Sequence, residues 1–95
     1  MQFVILCQDI PNGFEKRAAL RPAHLDYLKE QDAILMAAGP FLDDQERMIG
    51  SMLIVDVADE AAAQAFADND PFAKGGLFAH SEVRRWRWGV KPPKG

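Results

Sequence analysis

Phe3-Val4-Ile5-Leu6-Cys7 and Met52-Leu53-Ile54-Val55 decide the fold of this 95-residue chain. Both runs are short and built from β-branched or large apolar residues, as strands require. Successive side chains of a strand point to opposite faces of a sheet, so runs that are apolar at every position need cover on both faces. The first run belongs to a strand Gln2 to Gln8 that ends at Asp9-Ile10-Pro11-Asn12-Gly13, a cluster of turn formers. Good helix formers fill Glu15 to Gln31, where Pro22 is expected either to break the segment or to open a fresh helix, Pro22 to Gln31. The second run lies in a strand Gly50 to Val57. Its expected antiparallel partner is Ala33 to Ala38, across a Gly39-Pro40 turn and the polar Asp43-Asp44-Gln45-Glu46-Arg47 loop.

Asp59 is placed to cap a helix Glu60 to Asp68 with Ala62, Ala65 and Phe66 on one face, and a last strand runs from Leu77 to Trp88. These elements make one domain, 1–88, followed by an irregular tail, 89–95. Their order, βαββαβ, is that of an α+β ferredoxin-like fold, an antiparallel sheet with two helices on one face. Two short helices cover one face only. The other face predicts a second copy of the chain, giving a homodimer packed sheet to sheet.

Composition narrows the partners. Apolar residues make up 48% and charged residues 26%, and the net charge of -3 offers no general attraction to nucleic acid or to an anionic membrane. No apolar run is long enough to span a bilayer and no cleavable leader opens the sequence, so a cytoplasmic location is expected. A lone cysteine, Cys7, fits a reducing compartment and, inside an apolar strand, reads as inert packing. Arg84-Arg85-Trp86-Arg87-Trp88 has residues that stack bases and meet phosphates, but in an acidic chain it reads as an edge strand whose Trp residues pack at the dimer interface. No His, Cys or carboxylate spacing matches a metal site, and Gly75-Gly76 is a turn before a strand, so neither metal nor cofactor is expected.

Two polar residues stand in apolar surroundings: His24, in Arg21-Pro22-Ala23-His24-Leu25, and Asp70, in Asn69-Asp70-Pro71-Phe72. At about 100° per residue, Leu20, His24, Tyr27 and Leu28 share one arc of the helix, which points His24 inward. Two readings are open for each residue. His24 is a core histidine satisfied by a backbone carbonyl or Tyr27, or it is an acid-base group; Asp70, before Pro71, starts a turn or caps the next short helix, or it partners an imidazole. Together they would move a proton near neutral pH.

Cys7-Gln8-Asp9, Glu15-Lys16-Arg17, Arg21-Pro22-Ala23-His24-Leu25, Ala38-Gly39-Pro40, Gly50-Ser51, Ala67-Asp68-Asn69-Asp70-Pro71-Phe72 and Gly76-Leu77-Phe78-Ala79-His80 follow in an order and spacing that resemble the YciI-like (YCII-related) family. The resemblance runs from Met1 to about Trp86. It implies a dimeric ferredoxin-like α/β barrel whose active site is centred on His24 and Asp70, with Asp9 and Ser51 near the same pocket. One branch of the family is similar to dehydrochlorinases of chlorinated hydroxyhydroquinones, and the wider superfamily includes muconolactone isomerases. The expected function is therefore a cofactor-independent lyase or isomerase for a small oxygenated ring compound. In it His24 is the acid-base group, Asp70 orients it, Ser51 and Asp9 position substrate oxygens, and Phe41 and Phe72 supply an aromatic wall. A non-catalytic metabolite-binding protein with the same pocket is the alternative.

Overall fold

The computed structural model describes residues 1–90. Its elements are β1 (Gln2–Asp9), α1 (Phe14–Glu30), β2 (Leu35–Leu42), β3 (Met48–Asp56), α2 (Glu60–Asn69), α3 (Pro71–Lys74) and β4 (Phe78–Trp86). The strands form one sheet in the order β2-β3-β1-β4 with antiparallel neighbours throughout. The two deciding runs are thus its two central strands. This is the ferredoxin-like α+β arrangement.

The register sorts the side chains onto two faces. Phe3 lies opposite Val55, Ile5 opposite Leu53 and Cys7 opposite Ser51, and this face packs against Ala63, Phe66 and Ala67 of α2 in the core. Val4 opposite Ile54 and Leu6 opposite Met52 occupy the other face, which no helix among the described residues covers; Val4 and Ile54 are buried there while Met52 is exposed.

Several local expectations change. Pro22 neither breaks α1 nor starts a new helix: α1 runs unbroken through it, and its exposed ring sits on the solvent side, where water can serve the carbonyl that loses its amide partner. Gly39-Pro40 is not a turn but the interior of β2. An edge strand tolerates a residue without an amide hydrogen, and β2 is at the edge. The reversal comes later, where Asp43 Oδ1 accepts the amides of Gln45 and Arg47 and Glu46 adopts a φ of 61°. In α2 the buried face is Ala63, Phe66 and Ala67, one residue round from the expected Ala62 and Ala65. Asp59 caps α2 as expected, accepting the Ala62 amide at 2.9 Å. Of the irregular tail, residues 91–95 lie outside the described residues.

Candidate active site

The face of α1 turned to the sheet carries two buried polar groups, Arg17 and His24. Seven residues bring a helix back to within about 20° of the same direction, so both look into the space between α1, β2 and β3. That space is a cavity of about 140 Å³ lined by Arg17, Arg21, His24, Ser51 and Phe72, with apolar walls from Leu25, Leu28 and Pro40. It is smaller than the roughly 300–1,000 Å³ of sites for drug-sized ligands and suits a single substituted ring.

His24 and Asp70 meet. Nδ1 of His24 lies 2.8 Å from Asp70 Oδ1, and both side chains are almost wholly buried. The same carboxylate oxygen accepts the Phe72 amide at 2.9 Å and so caps α3, with Pro71 in the first turn. Asp70 is therefore both a cap and the imidazole's partner. Facing a carboxylate, Nδ1 is the donor, which leaves Nε2 for the cavity that the ring lines. The ring also stacks on Phe72, with centroids 3.9 Å apart and planes inclined by 16°. Tyr27, the other candidate partner, is used elsewhere: its hydroxyl donates to the Phe66 carbonyl at 2.8 Å, and burial pushes that hydroxyl's pKa up.

Asp9 and Ser51 also reach the site, through a residue that sequence reasoning did not single out. Arg17 donates from Nε to Asp9 Oδ2 at 2.7 Å and from Nη2 to Asp9 Oδ1 at 3.0 Å, a two-point grip on a buried carboxylate. Nη2 also donates to Ser51 Oγ and to the Gly50 carbonyl, each at 2.8 Å. The guanidinium lies 4.6 Å from the centre of the Phe72 ring. Gly50 is required where it stands, because a Cβ there would lie 2.5 Å from the Cys7 carbonyl oxygen. No buried side-chain nitrogen or oxygen among the described residues is left without a partner, so Arg17 Nη1, which has none, is not sealed from the cavity.

Phe72 is where it was expected, as the floor that touches both His24 and Arg17. Phe41 is not. It pairs with Gly50 on the uncovered face, is 43% exposed, and lines a different groove with Leu6 and His80. The continuation of β2 through Gly39-Pro40 sets this parity and turns Phe41 away from the cavity. Phe78 moves in the opposite sense. A bulge between Gln8 and Asp9 in the β1–β4 ladder shifts it off the face of His80, and it packs edge-on against Phe72. Among the described residues no group of three or more His, Cys, Asp or Glu is placed to hold a metal. Burial raises the Cys7 thiol pKa to about 11. No helix of the described residues is long and apolar enough to cross a membrane.

Comparison with known proteins places the chain in a family. The YCII-related domain model matches residues 1–87. Protein YciI of Escherichia coli O6:H1 is 35% identical over 95 residues, covering 92% of this chain and 97% of its own. An uncharacterized protein of Haemophilus influenzae is 37% identical over the same shares. A solved structure of 5-chloro-2-hydroxyhydroquinone dehydrochlorinase (TftG) from Burkholderia phenoliruptrix AC1100, in complex with 2,5-dihydroxybenzoquinone, is 37% identical. It superposes with a TM-score of 0.86 over 94% of this chain and 96% of that one. On this evidence the chain belongs to the family defined by the YCII-related domain.

Proposed function

We propose that this protein is a cofactor-independent lyase or isomerase acting on a small oxygenated ring compound, including chlorinated hydroquinones, with His24 and Asp70 as its acid-base pair. The observation that carries this reading is the 2.8 Å contact between Asp70 Oδ1 and His24 Nδ1 at the edge of a ring-sized cavity. The oriented imidazole offers Nε2 to a substrate proton, and the carboxylate stabilises the imidazolium that forms. Loss of HCl from a chlorinated hydroquinone needs that service. A ring hydroxyl loses its proton while the carbon bearing chlorine gains one, giving a keto tautomer; loss of a second hydroxyl proton then expels chloride, so one proton and one chloride leave in all and a quinone remains. Isomerisation of a lactone needs a proton taken from one carbon and returned to another. Neither reaction requires electrons from outside.

The remaining polar groups position substrate. Arg17 is held rigid by Asp9, Ser51 and the Gly50 carbonyl, and presents Nη1 as a donor to a substrate oxygen. Phe72 supplies an apolar floor for the ring. The kinship with the dehydrochlorinase supports the choice of substrate class.

The functional unit is a homodimer packed through the uncovered sheet face, where Leu6, Met52 and Ile54 lie beside Trp86 and Trp88. A turnover screen against chlorinated and unchlorinated hydroxyhydroquinones and muconolactone-type lactones tests the activity. Wild type should form product or release chloride, and His24→Ala should be slower by about 100-fold or more while remaining folded. Compounds that bind wild type and variant alike and emerge unchanged would establish a binding protein instead.

A further inference from the structure

Arg21 lines the cavity from the same helix as Arg17 and His24, four residues after the first and three before the second. The charge of Arg17 is answered by Asp9, and His24 faces Asp70. Among the described residues Arg21 makes no ion pair. The mouth of the cavity therefore carries one unanswered positive charge, a helical turn from a second guanidinium. Leu25, Leu28 and Pro40 line the cavity beside it, so no carboxylate of the lining answers that charge.

We infer that the cavity takes its substrate as an anion, a small ring compound bearing an ionised enol, phenol or carboxyl group, and that Arg21 selects for this charge. The inference rests on the proposed reading of the cavity as the substrate site. It goes further by stating the ionisation class and the residue that recognises it. In this arrangement the anionic oxygen sits toward Arg21 at the mouth, while the reacting part of the ring lies inward on Phe72 within reach of His24. Arg17 can still donate from Nη1, but its charge is already answered by Asp9, so selection for charge falls to Arg21.

Titration calorimetry at neutral pH with two probes of similar size tests it. One is 2,5-dihydroxybenzoquinone, a vinylogous acid that is ionised under these conditions, and the other is neutral hydroquinone. Wild type should bind the anion at least about tenfold more tightly than hydroquinone, and Arg21→Gln should weaken anion binding by roughly tenfold while leaving hydroquinone unchanged. Arg21→Lys should retain most of the preference. Arg21 is exposed, so these variants leave the core intact. Equal affinity for both probes, an unchanged anion affinity in Arg21→Gln, an equal loss for both probes, or no anion binding at millimolar concentration would each overturn the inference. Binding is read without turnover, so the two ideas fail separately. An anion held selectively but never converted would defeat only the acid-base reading, and turnover without charge preference would defeat only this one.

Discussion

The two faces of the sheet solve the problem of cover in different ways. Under the helices, β1 and β3 bury Phe3, Ile5, Leu53 and Val55, and the same layer holds two polar pairs, Asp9 with Arg17 and His24 with Asp70. The opposite face carries Leu6 and Met52 with Trp86 and Trp88 around the buried Val4 and Ile54, and no helix among the described residues lies over it. A buried ion pair adds little stability beyond what an apolar core would give, yet breaking it is severe. The covered face thus retains polar groups that folding alone would not select, which supports the proposed site. The other face, with Leu6, Met52 and Trp86 exposed or half-buried on it, is where the proposed second copy would pack.

Replacing Arg17 breaks this contrast most strongly. Arg17→Met leaves the Asp9 carboxylate buried without its partner and should destabilise the protein by about 3–5 kcal/mol in denaturant unfolding. A change below about 1 kcal/mol would show that the pair is dispensable to the covered face. Leu6→Glu strikes the other face. A charge introduced on both copies at a two-fold interface should raise the dimer dissociation constant by roughly 100-fold or more, so that sedimentation finds a dimer for wild type and a monomer for the variant at low micromolar concentration. A wild-type monomer would remove the interface from the account.

The smallest effect sharpens the comparison inside the covered face. Desolvation holds the Cys7 thiol at a pKa of about 11 against an ordinary 9.0. At mildly alkaline pH its thiolate fraction, and so its alkylation rate, should be about 100-fold below that of the unfolded chain. The folded protein keeps this proton through a range of pH where the unfolded chain loses it. The thiol's contribution to stability is therefore complete below the unfolded pKa and declines as pH rises toward the folded one. Rapid alkylation of native protein would mean that the layer beneath α2 opens readily.

Much of the fold was legible because the two apolar runs became the central strands and the order of elements left few alternatives. Pro22 and Pro40 were misleading for a shared reason. Proline is disfavoured in regular structure partly for the hydrogen bond it cannot make; an edge strand leaves that position facing outward, and on an exposed helix side water takes the freed carbonyl while the rest of α1 bears the cost of the ring. Of the candidate site, His24 stood out by its place among apolar neighbours and Asp70 by its place before Pro71, but their contact depends on how α1 packs against the α2–α3 junction. Arg17 appeared only within Glu15-Lys16-Arg17, a run of charged residues, and such residues are rarely buried. The available signal was its spacing of seven from His24, which sets both on one side of the helix. Phe41 was misassigned because parity along β2 depends on register, which a Gly-Pro pair obscures.

The central claim is that His24 and Asp70 act as one device, and a double-mutant cycle tests it most directly. It compares kcat/KM for wild type, His24→Ala, Asp70→Asn and the double variant on a substrate found in the turnover screen. Groups that serve one proton transfer lose their effect together, so the double variant should be about as slow as His24→Ala alone. Losses that multiply in the double variant, or a His24→Ala protein as fast as wild type, would contradict the account.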